Sequence, residues 1–148
     1  MVMYLQDWIA GPNATGATVA GLGGRNSGVL SFGSITVIDH ALTEGVDRQS
    51  KQVGRAQGMY VGVELGGNNL VFLFSILFTD GPYNGSTLEV QGLNVFLLRR
   101  RELSVVSGTG AFRFAKGHLL SERAFFDPIN FNAVLSFNVT VRYPVRSL

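Results

Sequence analysis

Short β-type segments separated by glycine-rich turns run the length of this chain, and they limit its fold more than any other feature. Glycine occupies 19 of the 148 positions, well above the usual share of about 7%. No window of about a dozen residues shows the 3.6-residue apolar period of a helix, so we expect little helix. The segments predict eight strands, at residues 3–9, 35–39, 54–65, 69–78, 86–92, 101–106, 112–120 and 132–143.

Short strands with glycine-rich turns indicate an all-β sandwich or barrel, and about eight strands in a single domain over residues 1–148 favour a closed barrel. A barrel is favoured because closure removes exposed strand edges. In the last segment, Leu135, Phe137 and Val139 share one face, and the residues between them, including Asn138, fall on the other. That alternation is typical of a half-buried strand. The interior of such a barrel is either filled by side chains or holds one small ligand, and the pattern leaves both possibilities open.

Composition excludes several classes of chemistry. The chain has no cysteine and two histidines, which excludes disulfides, thiolate zinc sites, iron–sulfur clusters and multi-histidine metal sites. No motif supports a catalytic triad around His40 or His118, and no phosphate or dinucleotide motif is present; we predict neither a metal nor a cofactor. A net charge of +2 with scattered cations does not indicate nucleic acid. The longest apolar run, residues 70–78, is about half the length of a membrane helix, so we predict no membrane span.

Asp7 is the most informative titratable residue. In an extended strand it shares a face with Met3, Leu5 and Ile9. If that face is internal, desolvation favours the protonated carboxyl and prepares it to carry a proton. The alternative is a structural carboxylate that bonds to a turn or pairs with an arginine.

Three further residues are candidates. Tyr60 lies between Gly58 and Gly62 on one face of its strand, where its hydroxyl could line a cavity or simply pack in the core. Arg101 ends a run of three arginines; most of that run fits a solvated surface, but one member can point inward to a carboxylate or a phenolic oxygen. Asp39 follows a short apolar run and fits a strand end or a turn; we also consider it as a substrate-binding residue.

Three Asn-x-Ser/Thr sequons begin at Asn13, Asn84 and Asn138. Three such sites in a short chain favour a secreted glycoprotein. The opening segment MVMYLQDWIA has no basic n-region and is interrupted by polar residues, so it does not fit an intact signal peptide. Secretion would then require a signal that precedes this sequence.

Five segments carry a family resemblance: YLQD at residues 4–7, IDHALTEG at 38–45, VGRAQGMY at 53–60, YNGSTL at 83–88 and RELSVVSGTGAFR at 101–113. Together, and in order along essentially the whole chain, they resemble plant dirigent proteins. The resemblance implies an all-β fold, an eight-stranded antiparallel β-barrel related to the allene oxide cyclase fold. It also implies a homotrimer that is glycosylated and secreted to the apoplast or cell wall.

The resemblance further implies stereochemical control over phenolic chemistry. Dirigent proteins bind phenoxy radicals that a separate laccase or peroxidase makes, and they direct coupling of these radicals into lignan- or lignin-type products without redox activity of their own. Relatives similar to pterocarpan synthases instead convert an isoflavanol to a pterocarpan by loss of water through a quinone methide. We expect the coupling role, with the pterocarpan-forming lyase and a non-catalytic cell-wall or ligand-binding barrel as alternatives. Whether the chain is an auxiliary protein or an enzyme stays open.

Roles for individual residues follow from the same resemblance. The family's pocket aspartate matches Asp7 and the arginine before Glu-Leu-Ser matches Arg101, so both are expected to be catalytic. The pocket tyrosine matches Tyr60, which is expected to bind substrate. Asn94 falls where pinoresinol-forming members carry an aspartate and would offer a neutral hydrogen bond, and Gly62 falls where they carry a second tyrosine. These departures, with the missing cysteine pair, make the chain more similar to the broader dirigent-like subfamilies.

Overall fold

The computed structural model describes residues 1–23 and 28–145. Within these ranges the chain forms nine antiparallel strands and two short 3-10 turns, and no helix there is long and apolar enough to cross a membrane. The strands are β1 (Val2–Asp7), β2 (Gly16–Ala20), β3 (Ile35–Thr43), β4 (Gln52–Gly62), β5 (Leu70–Phe78), β6 (Thr87–Asn94), β7 (Arg100–Gly108), β8 (Lys116–Phe126) and β9 (Ala133–Arg142).

Eight of these strands close into a barrel. The hydrogen-bonded order is β1-β9-β8-β7-β6-β5-β4-β3, and β1 returns to β3 through the pairs Tyr4 with Thr43 and Leu5 with Leu42. The predicted eight-stranded antiparallel barrel is therefore confirmed. Each strand alternates inward and outward side chains, as the closed sheet requires.

The ninth strand, β2, shares an edge of β3 with β1. β2 pairs with the first half of β3, starting with Gly16 opposite Ile38, whereas β1 pairs with its last two residues. The strand that pairs with this edge of β3 therefore changes from β2 to β1 between Asp39 and Ala41. We call this point the fork; it brings the end of β1 and the start of β2 against the same short stretch of β3.

The structure corrects three of the sequence-based boundaries. β2 was not predicted, because its five residues are mostly exposed and show no apolar alternation. β3 continues to Thr43 rather than ending at Asp39, so Asp39 lies mid-strand. β8 begins at Lys116 instead of residue 112, because Phe114 adopts a left-handed φ of 65° that an extended strand cannot contain.

Packed side chains fill most of the barrel. Phe74 stacks on Phe137 with ring centroids 5.9 Å apart, among buried aliphatic residues from the surrounding strands. At one end an aromatic cluster closes the interior; its members are Phe78, Tyr83, Phe112 and Tyr143. The opposite end contains a cavity. The interior is therefore filled by side chains over most of its length and open at one end.

Candidate functional site

A narrow, mostly apolar cavity opens at the end of the barrel where β1, β4, β6 and β8 finish. The space inside it, including the open mouth, is about 450 Å³. Aliphatic and aromatic side chains form most of the wall. The polar members of the wall are Asp7, Tyr60, Asn94, Arg101 and Arg123. A few convergent polar groups in an apolar wall are typical of a small-ligand site.

Asp7 ends β1 on the inner wall of the barrel, and its side chain is 14% exposed. The charge of its carboxylate adds to the effect of burial in raising the pKa of Tyr60, and it partly opposes the lowering of the pKa of Arg101 by burial. The structure thus brings together the three residues that sequence analysis placed at the centre of the site.

Tyr60 points inward from β4 and stacks on Phe72, with ring centroids 4.1 Å apart. Its hydroxyl has no hydrogen-bond partner among the described residues. Burial, with the nearby Asp7 charge, raises the pKa of Tyr60 well above its ordinary value, so the phenol is a neutral donor at neutral pH. The flanking glycines leave no empty space: a Cβ at Gly58 would lie 2.1 Å from the Leu73 carbonyl oxygen, and one at Gly62 would lie 2.0 Å from that of Ser31.

Arg101 is the one inward member of the arginine run, and its neighbours Arg99 and Arg100 are exposed. Its Nη1 donates a 3.0 Å hydrogen bond to Asn94 Oδ1, whereas Nε and Nη2 have no partner within the described ranges. Burial, and then the charge of Arg123, lower the pKa of Arg101 to about 10. The guanidinium is still a cation at neutral pH. The side chain that it bonds, Asn94, is a neutral amide and carries no charge to balance it.

His40 was missed by sequence analysis as a site residue. It is fully buried on the inner face of β3, at the fork. Its Nε2 lies 2.9 Å from Asp7 Oδ1, although the pair is not aligned as a hydrogen bond and neither atom has another partner in the described part of the chain. On the other side, Nδ1 lies 2.7 Å from Thr15 Oγ1. The sequence feature that could have identified His40 is its position between Ile38 and Leu42, on the apolar face of a strand.

Arg123 is the second site residue that sequence analysis missed. It comes from β8 at the mouth, where its guanidinium lies 4.4 Å from the ring centre of Phe96 and 5.2 Å from that of Phe126. It also donates to the Phe96 carbonyl oxygen. Phe131 packs edge-on against Phe126 with a left-handed φ of 59°. These aromatic rings narrow the entrance, so a flat ligand must displace or stack on them.

Asp39 does not line the cavity, which corrects the substrate-binding role considered for it. In β3 the even positions face inward, and Asp39 falls on the outer face with its side chain 56% exposed. Arg55 Nε donates to its Oδ1 over 2.8 Å, and Gln57 Nε2 donates to the same oxygen over 3.1 Å. The hydrogen bond from Arg55 lowers the pKa of Asp39. Asp39 is therefore part of a surface ion pair.

The arrangement suits an aromatic molecule that carries oxygen atoms. Arg101 and the neutral hydroxyl of Tyr60 can donate hydrogen bonds to a phenolic oxygen and stabilise its anion. Asp7 can give or take a proton inside an apolar wall. Among the described residues, no group of three or more His, Asp or Glu side chains is placed to hold a metal ion.

Comparison with known proteins places this geometry in a family. A family model described as "Dirigent-like protein" matches residues 1–142. Dirigent protein 11 of Arabidopsis thaliana is 39% identical over 138 residues, which are 93% of this chain and 70% of that protein. Pterocarpan synthase 1 of Glycine max is 34% identical over 141 residues, 95% of this chain and 76% of that protein. The solved structure of the pterocarpan synthase dirigent protein GePTS1 superposes with a TM-score of 0.89 at 32% identity, covering 97% of this chain and 86% of that one.

Proposed function

This chain belongs to the dirigent-like family, and from that premise we propose that it directs the stereochemistry of a quinone methide formed from a phenolic substrate. The first candidate reaction is the conversion of an isoflavanol to a pterocarpan with loss of water. Relatives named pterocarpan synthase, at 34% sequence identity and at a TM-score of 0.89, support this choice.

The reaction needs a proton at one end of the substrate and charge stabilisation at the other. A benzylic hydroxyl accepts a proton and leaves as water with its bonding electron pair, while the conjugated phenol loses its proton and becomes the quinone methide carbonyl. A second phenolic hydroxyl of the substrate then adds to the electrophilic carbon and loses its proton, and the carbonyl oxygen regains one. The net change is the loss of one water molecule, and no oxidant is consumed.

Three polar groups of the cavity each fit a part of that reaction. Asp7 protonates the leaving hydroxyl and ends the cycle as a carboxylate, because the proton of the adding hydroxyl replaces the one that the phenolic oxygen lost to solvent. Arg101 and Tyr60 hold the phenolic oxygen as its negative charge develops. The observation that carries the proposal is that Tyr60 Oη, Arg101 Nε and Arg101 Nη2, all without partners among the described residues, line one apolar cavity with Asp7. Buried polar groups are normally paired, so these are free for a ligand.

Radical coupling of phenylpropanoids is the second candidate, and a cleft beside the mouth favours it. This cleft shares Val29, Leu30 and Phe131 with the cavity wall, so one aromatic unit in the cavity and another in the cleft would lie side by side. A laccase or peroxidase would supply the phenoxy radicals. A wall that disfavours one approach by about 1.4 kcal/mol gives a tenfold excess of one product at 25 °C.

The two candidates predict different results in chiral chromatography of the products. We expect racemic isoflavanol, incubated without oxidant, to give one pterocarpan enantiomer in excess only when the protein is present. Coniferyl alcohol with added laccase would give an enantiomeric excess only if the second candidate is correct. Protein boiled before addition is the control for both arms. If neither product distribution changes, the proposed function is wrong, and a barrel that only binds phenols remains.

We also propose that the protein works outside the cell as a glycoprotein. The three sequon asparagines, Asn13, Asn84 and Asn138, are all exposed, which is what attachment of a glycan requires. Asn138 lies on the outer face of β9, as its alternation predicts.

An apolar patch on the outer wall supports a homotrimer. Val37, Met59 and Leu73 are exposed and lie in one row across β3, β4 and β5, since Val37 pairs with Met59 and Met59 with Leu73. Exposed apolar rows of this kind commonly mark contacts between protein chains.

One measurement tests both proposals about assembly and secretion. Protein secreted from plant cells behind an added signal peptide is expected to have a native mass of three chains plus glycan. Removal of N-glycans should lower that mass without separating the chains. A native mass of a single 16.0 kDa chain, or a mass that enzymatic deglycosylation leaves unchanged, would contradict the corresponding proposal.

A further inference from the structure

Thr15, His40 and Asp7 lie in a row of proton-carrying groups at the fork, in which the contact between His40 and Asp7 is close but not aligned as a hydrogen bond. Thr15 Oγ1 lies 2.7 Å from His40 Nδ1, and His40 Nε2 lies 2.9 Å from Asp7 Oδ1. The row begins at the partly exposed Thr15, passes through the fully buried imidazole, and ends at the cavity wall. We call it the relay.

The surrounding backbone holds the relay in place. Asp39 N donates to Thr15 O over 2.8 Å, and Thr15 N donates to Trp8 O over 2.8 Å, so the threonine is fixed from both sides. A Cβ on Gly16 would lie 3.1 Å from His40 Cε1, tight enough to push the ring out of line. The glycine that starts β2 therefore leaves room for the imidazole.

Neutral histidine can match either protonation state of Asp7, because its two ring nitrogens exchange roles. With Asp7 as a carboxylate, Nε2 carries the hydrogen that faces it and Nδ1 accepts the Thr15 hydroxyl hydrogen. With Asp7 protonated, Nε2 becomes the acceptor and Nδ1 donates to Thr15 Oγ1. A threonine hydroxyl can both donate and accept a hydrogen bond, so Thr15 suits either arrangement. The two arrangements differ by one proton, so each proton taken up by Thr15 from outside can be passed on to Asp7.

We propose that Thr15 and His40 form a proton relay that loads Asp7 from the outside of the barrel before each turnover. The inference deepens the proposed function and rests on it, since Asp7 must start as an acid to protonate the leaving hydroxyl. His40 is a positioning residue rather than a catalytic one, because it acts through Asp7. The relay accounts for the fully buried imidazole of His40, which core packing alone would not require.

The charged and titratable groups around His40 determine how its pH dependence must be tested. Asp7 faces it from β1, and Tyr60 faces it from β4 at a ring distance of 6.1 Å. Asp39, its neighbour in β3, points outward to Arg55. Arg101 acts on Asp7 from across the cavity. A change seen in the pH profile of a His40 variant must therefore be compared with the same change in an Asp7 variant.

The kinetic test uses protein made in bacteria, so that loss of the Asn13 sequon in a Thr15 variant has no effect. His40→Gln replaces the imidazole with an amide, which can still form hydrogen bonds but cannot pass a proton on. We expect it to lower the isoflavanol turnover about tenfold or more near neutral pH, with a smaller loss in mild acid, where solvent can protonate Asp7 directly, and an unchanged product enantiomer. Thr15→Val should behave in the same way and Thr15→Ser should restore turnover. A pH-independent loss, or full activity in Thr15→Val, would overturn the relay.

A second readout does not depend on activity. Long-range proton–nitrogen NMR spectra report which ring nitrogen of each histidine carries hydrogen. We expect Asp7→Asn and Thr15→Val each to change the tautomer or the titration of His40, while His118, assigned with His118→Gln, stays unchanged. If His40 does not respond, the relay is wrong even where the enzyme is active. If the protein lacks isoflavanol turnover but His40 responds, the relay stands and the proposed function fails.

Discussion

Replacing Asp7 with asparagine is expected to lower the turnover of isoflavanol by about 10²- to 10⁴-fold, the usual range for loss of a general acid. The carboxyl is the one acidic group on the cavity wall among the described residues. An amide occupies nearly the same volume but can neither give nor accept the proton. The measurement is the initial rate, together with the enantiomeric excess of whatever product still forms.

The fold should survive this change. Asp7 lies at the end of β1 with its backbone paired to Ala133 of β9, and asparagine keeps an oxygen that can accept from His40 Nε2. Circular dichroism and thermal unfolding should therefore match those of the unchanged protein to within about 1 kcal/mol. Loss of turnover together with loss of the folded state would instead assign Asp7 a structural role.

Asp39→Asn is the matched control, since it makes the same carboxylate-to-amide change on the outside of the barrel. It removes an exposed ion pair with Arg55, which contributes at most about 1 kcal/mol to stability, and turnover should not change. Because the pKa of Asp39 is lowered in the folded protein, its small contribution is present at neutral pH and is lost as the pH falls through that lowered value. Equal loss of turnover in both variants would mean that neither effect is specific to the cavity.

Much of this architecture follows from the alternation of side chains between the two faces of a strand, which we call parity. Alternation in the last strand correctly places Phe137 inside and Asn138 outside, because successive side chains of a strand point to opposite faces. The same alternation means that the arginines of the run cannot all face one way, and the structure shows Arg101 inward and Arg100 exposed. Parity needs no knowledge of which strands are neighbours, so it succeeds wherever a strand is correctly located.

Features that depend on strand pairing could not be predicted in this way. Asp39 was assigned to a strand end because its strand was predicted too short, although the parity of β3 places it outside and His40 inside. The contact between His40 and Asp7 depends on the pairing of β1 with the end of β3, and no local sequence pattern predicts that pairing. Arg123 reaches the cavity for a similar reason, through the pairing of β8 with β9.

Strand parity also does not determine how completely side chains fill the interior of the barrel. The inward faces near Phe74 and near Phe72 are equally apolar in the sequence, yet the first region is packed and the second borders the cavity. What distinguishes the open end is its unpaired polar atoms, on Tyr60 and Arg101 in particular. Such atoms lower the stability of the empty barrel, and this cost is a testable sign that they serve a ligand.

Arg101→Met is expected to lower turnover by about 10²- to 10³-fold, the range seen when one donor to a developing oxyanion is removed. The folded protein should nevertheless keep or raise its melting temperature. Methionine fills a similar volume among aromatic neighbours, and the change removes a cation that burial disfavours strongly enough to lower the pKa of Arg101 to about 10. Against this gain stands the loss of the Arg101 hydrogen bond to Asn94, so the double variant Arg101→Met with Asn94→Leu should be the more stable of the two.

The pH dependence of stability provides an independent check on the same residue. Arg101 has a folded-state pKa below that of the unfolded chain, so the unfolded state holds more protons in a window that opens at about pH 10. This group therefore destabilises the folded protein below that window, and its penalty is relieved as the pH rises through it. Arg101→Met should lack this relief, and Arg101→Lys, which keeps a charge without the planar fork, should recover only part of the turnover. A marked fall in melting temperature for Arg101→Met, with turnover preserved, would show that the guanidinium supports the barrel and not its ligand.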